Sequence, residues 1–566
     1  MVLVKNKVLT GYALLVLAPF YYFLLQYYPF SFNYELDIHL QYFLLPYATA
    51  AFCGWVMLKR RNRYLWLIAG AFLVLQLLVL LTTRYGYGNE HFSVWLSIAM
   101  MAAIGIGLGE DVRHLWLIVP GGYVWQLSLG GYQLLNGQRL VGSLMNTGVY
   151  ACFVTMHLPL LYYYVKRQRW AYPLLLLITA GIIWVTASRT ACMMYAVAVV
   201  LWLSPWIRQL WARPRARFVF LVLLPCLLAL IVSAGWQMLQ AKLPSAIGRQ
   251  LFLRVSADHL ADQPLTGTGL GRFTLHYPAW QAAFFKTHPD PDSTYFQVAG
   301  ESYIIFNELL QLYLEVGIVG VALITWLLYR FYTLRSDHHT EWLRSLKQLV
   351  ALILVAGLTA YPLHTTPVML VLLLALASAW TVRSSGGEVK YPVGYGLAAL
   401  YAVILFFHVR QMTMVLRWDR HPADTQNYAA LESALGRDGK FRLSYGQALL
   451  ANGRPQEAIG QLETGVQQHL CGHGLQLLAN SYLQQKDYPA AERVYQFWAD
   501  FIPNKFRPKY ALMQLHKATN DQVKLHAIAQ VLVQMPVKVN SGEIQVMLSE
   551  ARQQLLYTSG IHLKNK

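Results

Sequence analysis

A handful of residues in this chain have side chains able to do chemistry in places where apolar residues would be expected. The stretch FNELLQLYLEVGIVG (306–320) sets Asn307, Glu308, Gln311 and Glu315 at the start of, or inside, an apolar run. Carboxylates in such a setting are expensive and by default mark function. Arg189 sits in TASRTA (186–191), a connection of almost no length between two apolar runs. A lone arginine at a span end ordinarily snorkels to lipid headgroups; the other reading is a phosphate contact, because a guanidinium binds phosphate bidentately. Arg249 and Arg254 lie five apart in SAIGRQLFLRVSADHL (245–260), roughly on one face of a helix. His364 is flanked by two prolines in YPLHTTP (361–367). Arginines, carboxylates and one histidine suit transfer from a polyanionic lipid. The arginines would neutralise a diphosphate leaving group, and Glu308 or His364 would take the proton of an attacking hydroxyl.

These residues need elements to hold them, and composition says which. The 566 residues are 56% hydrophobic and 13% charged, against about 25% charged in soluble domains. The 17 Trp and 36 Tyr suit interfacial belts. A span requires about 20 mostly apolar residues. Candidates fall at 8–29, 41–58, 64–82, 93–109, 114–135, 147–165, 172–187, 190–205, 218–237, 309–330, 346–361, 366–382 and 391–410. The first is long, lacks a small-x-small cleavage site and is followed by more spans, so it reads as a span and not a signal peptide. The expected fold is all-α: a polytopic membrane domain over 1–416 with about 12–13 spans, and a soluble helical domain over 417–566.

Charge sets the orientation, since short loops rich in Lys and Arg stay in the cytoplasm. Basic clusters follow the second, sixth, eighth and tenth spans, at 59–63, 166–169, 208–217 and 330–347. Alternation places all four on one side with Lys5 and Lys7. The N-terminus is then cytoplasmic, the long loop 238–305 is outside, and the C-terminal domain is outside with it. This sorting also explains much of the net charge of +19, for which nucleic-acid binding would be the rival account. No nucleic-acid partner is expected.

In the polar C-terminal part, YGQALLANGRPQEAIGQLETGV (445–466) aligns with LANSYLQQKDYPAAERVYQFWADFIPN (478–504). Ala458 falls on Ala491, 33 residues on, and Gly453 on Lys486. The period and the small residue in the second helix look like tetratricopeptide repeats. Such repeats stack into a solenoid with a groove, so either a docking site for a protein partner or acceptor, or a plain helical cap, is expected there.

Other features carry less. Cys53, Cys152, Cys192 and Cys226 lie in or near spans and read as small apolar residues, and Cys471 is alone in the soluble part. Neither a CxxC nor a convincing metal-ligand spacing occurs, so no cofactor and no metal are expected. Gly267, Gly269 and Gly271 hint at a dinucleotide fingerprint, but no strand–helix unit surrounds them; they read as a tight turn before Tyr277.

Taken in order, VGSLMNTGVYACF (141–153), ASRTA (187–191), the Arg249 helix with PLTGTGLGRFTLHY (264–277), and FNELLQLYLEVGIVG (306–320) resemble the O-antigen ligase superfamily, with the YPLH corner in support. The resemblance covers roughly 140–365. It implies a GT-C-like, metal-independent glycosyltransferase that takes an undecaprenyl-diphosphate-linked glycan on the periplasmic side of the bacterial inner membrane. The acceptor would be a lipid A-core sugar or a protein Ser/Thr hydroxyl. It also implies that Arg189 binds the donor diphosphate and that Arg249 is the loop arginine, with Arg254, Asn307, Arg272, Tyr277 and Asn146 as further substrate contacts. The family usually has His-Asn where this chain has Phe306-Asn307, and Phe306 cannot take a proton. Glu308 and His364 are therefore the expected catalytic residues. A polysaccharide polymerase and a non-enzymatic lipid-linked-sugar transporter are the alternatives. The transporter should carry charge along a central path, whereas the polar residues here gather on one side.

Overall fold

The computed structural model describes Trp116 and residues 118–211, 243–381 and 410–564, with a few short gaps. The expected spans between 8 and 109, and those at 218–237 and 391–410, lie outside the described residues. The described residues form helices and no strand, and the chain is an all-α membrane protein. Three of these helical stretches, Thr147–Val165, Arg189–Ile207 and Glu308–Thr333, are long and apolar enough to cross a membrane.

The apolar part runs α1 (Ile118–Leu135), α2 (Thr147–Met156), α3 (Leu158–Val165), α4 (Ala171–Thr186) and α5 (Arg189–Trp211). Each matches an expected span to within a few residues. The span expected at 147–165 is two abutting helices that meet at His157, where Pro159 opens the second and cannot supply an amide to the first. Between α4 and α5 the chain reverses through Ala187, whose φ of 47° is left-handed. This caps α4 in one residue and explains why no loop is visible in TASRTA.

Two longer helices follow, α6 (Leu243–Ala257) and α7 (Phe273–Thr287), then the short α8 (Thr294–Val298). Leu251, Val255, Phe273, Tyr277, Phe285 and Phe296 bury themselves together as a small separate core. The long connection is thus a folded unit and not a slack loop. After it come α9 (Glu308–Thr333), α10 (Thr340–Gly357), a single 3-10 turn at Pro362–His364, and α11 (Thr366–Thr381).

The glycine-rich segment does something the sequence reading did not anticipate. Helix α9 is broken at Gly317, whose φ of 63° and ψ of −173° are not helical. The segment 264–269 lies in the break. Thr268 and Gly269 donate amides to Leu314 O and Glu315 O at 2.8 and 2.9 Å, and Ile318 N donates to Pro264 O at 2.8 Å. Backbone groups released at membrane depth cannot turn to lipid for partners; here the inserted loop provides them. Contact is so close that a Cβ on Gly317 would stand 2.3 Å from Leu265 O, and one on Gly267 2.4 Å from the Glu315 carbonyl carbon.

The polar part contains α12 (Thr425–Leu435), α13 (Gly439–Ala451), α14 (Pro455–Gln468), α15 (Gly472–Gln484), α16 (Tyr488–Phe501), α17 (Phe506–Ala518), α18 (Gln522–Gln534) and α19 (Gly542–Lys564). From α13 onward, each helix packs on the next. Gly453, Lys486 and Asn520 all take left-handed φ, between 56° and 69°, in the turns between paired helices. Ala458 and Ala491 are fully buried one turn later, and Leu525 nearly so. The 33-residue offset read from the sequence therefore falls on equivalent backbone positions.

This body is anchored to the folded connection. Gln281 of α7 donates to Phe501 O at 2.7 Å, Asn504 to Ala299 O at 2.8 Å, and Gly472 N to Glu301 at 3.1 Å. Ala282 of α7 belongs to the polar part's own core. The connection and the C-terminal helices are accordingly packed against each other. At the other end of the bundle Lys166 pairs with Glu341, and Lys347 donates to Tyr332 O and Leu334 O at 2.6 Å, so the basic segments flanking 166 and 335–347 share one face.

Candidate functional site

Where α2, α5 and α6 meet the Tyr361 corner, a cavity of about 310 Å³ opens. Its polar wall carries Asn146, Ser188, Arg189, Arg249 and Tyr361; Phe306, Met156, Met194, Ile353 and Val368 are among its apolar lining. A polar rim over an apolar floor is the form a site takes for an amphiphile.

Each polar group is held for a traceable reason. Asn146 caps α2, its Oδ1 accepting Gly148 N at 2.8 Å and Val149 N at 3.2 Å. Ser188 caps α5 by accepting Ala191 N at 3.3 Å. Two helix N-termini therefore face the cavity, and such ends favour anions. Arg189 is the first residue of α5. Arg249, from α6, donates through Nη1 to Thr359 O at 2.7 Å. Its guanidinium lies 5.0 Å from the Phe306 ring centroid, and its buried Nε has no partner among the described residues. Neither arginine meets a carboxylate among those residues. Burial, and then the charge of Arg189, push the Arg249 guanidinium below its ordinary pKa. A bound anion would relieve that strain, since an opposite charge favours the protonated form.

Phe306 takes a left-handed φ of 61°, which costs roughly 1–3 kcal/mol for a residue with a side chain. Aromatic packing holds it there. Its ring stacks on Phe252 at 5.9 Å and 11°, and meets Tyr361 edge-on at 5.2 Å.

The expected site residues divide into two groups. Arg189, Arg249 and Asn146 converge on the cavity. Asn307 and Glu308 do not line it, contrary to expectation. Asn307 caps α9 by accepting Leu310 N at 3.0 Å. Glu308 is buried, and its Oε1 accepts both Leu363 N at 2.8 Å and the Nδ1 proton of His364 at 3.2 Å. His364 is likewise outside the lining, and its tautomer can be reasoned out. Gln311 accepts Ile305 N through Oε1, so its Nε2 is the group facing Glu315 Oε1 at 3.1 Å and His364 Nε2 at 3.0 Å. Two donors cannot face each other; His364 Nε2 accepts, and Nδ1 carries the proton. Glu315 closes the network by accepting Gly271 N at 2.7 Å. These groups brace the corner, α9 and the glycine segment against one another.

Arg254 parts company with Arg249. Five residues turn a helix by well over a full circle, and Arg254 lies exposed beside Asp258 at 3.8 Å. Arg272 starts α7 with its side chain against Gly269. Tyr277 is fully buried in the connection's own core and donates to Gln281 Oε1 at 2.9 Å. None of these three lines the cavity. Sequence reasoning passed over Tyr361, Ser188 and Phe306 as site residues. Tyr361 carried a signal, standing next to Pro362 in the singled-out corner.

Residues 174–325 match the family model described as O-antigen ligase. The matched segment carries Arg189, Arg249 and Glu308, and it agrees with the superfamily resemblance seen in the sequence. It supports a glycan-transfer role of the ligase or polymerase kind, with a lipid-linked donor and an acceptor in the membrane. A comparison with curated proteins finds no match.

Proposed function

We propose that this chain transfers a glycan from an undecaprenyl-diphosphate carrier to an acceptor hydroxyl, a lipid A-core sugar or a protein Ser/Thr, at the periplasmic face of the inner membrane. The observation that carries this reading is the pairing of Arg189 and Arg249, without carboxylate partners among the described residues, on the wall of a cavity that also receives two helix N-termini. That combination suits a diphosphate, with the apolar wall taking the first isoprene units. The acceptor oxygen attacks the anomeric carbon as the bond from that carbon to the phosphate oxygen breaks; the diphosphate departs into the arginine pair and takes up the proton released by the acceptor hydroxyl. Charge neutralisation by guanidinia, rather than by a metal, is the main catalytic contribution in this reading. Arg189 and Arg249 bind the diphosphate; Glu308 and His364 act by positioning Tyr361 and Pro362.

The helical hairpins of the C-terminal part fit a tetratricopeptide-like periplasmic domain that presents the acceptor. Its attachment to the α7 connection favours a ligase over a polymerase, because a polymer-extending enzyme has less need of a separate docking body. A strain lacking the gene tests the assignment. Loss of polymer from lipid A-core with lipid-linked polymer accumulating identifies a ligase of lipopolysaccharide. Loss of glycan from proteins alone identifies an oligosaccharyltransferase. A change in chain length with both linkages intact identifies a polymerase and overturns the reading.

A further inference from the structure

The hydrogen bonds around Asn146 determine where one proton points. Backbone N–H groups can only donate, so the atom of Asn146 facing Gly148 N and Val149 N is its carbonyl oxygen. The other end of the amide, Nδ2, is then the donor that stands 3.2 Å from the Tyr361 hydroxyl. That hydroxyl oxygen accepts from Asn146, and its own proton must be directed elsewhere. No acceptor for it occurs among the described residues. Tyr361 lines the cavity together with Arg189 and Arg249, and its ring is fixed by the edge-on contact with Phe306.

Resting on the diphosphate reading above and deepening it, we propose that Tyr361 is a catalytic residue that donates its O–H to a diphosphate oxygen as negative charge builds there during glycan departure. The phenol keeps its proton throughout; it supplies a neutral hydrogen bond beside two cationic ones. Burial raises its pKa, with Arg249 opposing, which keeps the donor form in place. Asn146 is the positioning residue: capping α2 with its oxygen leaves its N–H to turn the phenol proton toward the cavity. The inference does not depend on which acceptor is used, because it concerns the leaving group.

The full-length protein in detergent, titrated with farnesyl diphosphate by calorimetry, tests this without any glycan. Wild type is expected to bind. Tyr361→Phe keeps the ring and its contact with Phe306 and is expected to bind roughly ten- to a hundredfold more weakly, the range for one hydrogen bond to a charged group. Arg249→Ala is measured alongside. Loss in Arg249→Ala with unchanged binding in Tyr361→Phe overturns the role of Tyr361 and leaves the arginine site standing. Absence of binding to wild type overturns the diphosphate reading itself, and the Tyr361 role with it.

Asn146→Asp provides an independent arm should Tyr361→Phe fold poorly. Aspartate still caps α2 but has no N–H, so the phenol turns its proton to the carboxylate and away from the cavity. Weaker binding is expected, partly from the added negative charge. The two contributions separate in a double-mutant cycle. A penalty that shrinks when Asn146→Asp is placed in the Tyr361→Phe background supports the redirected proton. An equal penalty in both backgrounds means charge alone, and sinks the proposal.

Discussion

A single carboxylate oxygen, Oε1 of Glu308, receives both the Leu363 amide at 2.8 Å and the His364 ring proton at 3.2 Å. Because one oxygen does both jobs, a glutamine side chain can do them as well, its carbonyl taking the place of Oε1. Glu308→Gln should therefore retain transfer within a few-fold of wild type, while Glu308→Ala strands both donors and costs about 1–3 kcal/mol of stability. Transfer assays with lipid-linked donor, run beside thermal unfolding, separate the roles. A drop of about a hundredfold or more in a well-folded Glu308→Gln would mean that the carboxylate acts as a general base.

The interlock at Gly317 makes a steric prediction. Alanine there would need a left-handed backbone, and its Cβ would meet Leu265 O at 2.3 Å. The expected cost is at least about 2–3 kcal/mol. The control is Gly181→Ala in α4, where a Cβ meets nothing within 4 Å; there the substitution is neutral, or stabilising by up to about 1 kcal/mol. Melting temperatures of the two variants in the same detergent should lie on opposite sides of wild type, or at least far apart. Equal melting temperatures would contradict the close approach of the two segments.

How far the sequence could be read depended on the kind of signal involved. Apolar runs reflect a cost paid residue by residue, so α4 and α9 stood out with nearly correct ends, whereas α5 runs on past the expected end to Trp211 and α10 starts earlier than expected, at Thr340. The repeat offset was legible because buried alanines and left-handed turns impose local residue choices, as at Ala458 and Ala491. Arg189 and Arg249 were recognisable as charges in apolar surroundings, and both reach the cavity. The break at Gly317 was hidden because it is compensated from 264–269, far away in sequence, and a glycine within an apolar run has no unique meaning. Glu308 and His364 lie outside the cavity lining, which spacing could not tell. Their side chains are chemically able, and in the structure they are engaged in hydrogen bonds to Leu363, Gln311 and each other. Side-chain direction at Arg254 was likewise a matter of helical angle that spacing alone blurred.

Lys509 gives the C-terminal body a pH signature. It is buried, donates through Nζ to Pro503 O, and lies 5.6 Å from the Phe296 ring, at the seam with the connection. Burial pulls its pKa down to about 8, with Asp500 opposing. A lysine depressed in the folded state binds fewer protons there than when unfolded, where its pKa is about 10.4. Its contribution therefore rises with pH between about 8 and 10.4 and is lost as pH falls through about 8. Over that window the stability of the seam should increase by about 2–3 kcal/mol from this group. Lys509→Met should remove that slope. Urea titrations of wild type and variant at pH 7.5 and 9.5 check it, and parallel pH responses would rule the assignment out.

Arg249 makes the sharpest demand on side-chain shape. One nitrogen is committed to Thr359 O, the guanidinium carbon sits over the Phe306 ring, and the side chain still lines the cavity. A lysine ammonium has charge but neither the plane nor the fork. It can satisfy Thr359 or reach the cavity, and not both. Arg249→Lys should accordingly lose most of what Arg249→Ala loses, about two to three orders of magnitude in transfer rate, as for removal of one donor to developing negative charge. At Arg189, whose guanidinium has no hydrogen bond or ion pair among the described residues and which lines the same cavity, lysine should rescue a larger share. Initial rates with saturating lipid-linked donor in proteoliposomes provide the comparison. Near wild-type transfer by Arg249→Lys would mean that charge alone suffices, and that the arrangement of Arg249 between Thr359 and Phe306 does not matter for the reaction.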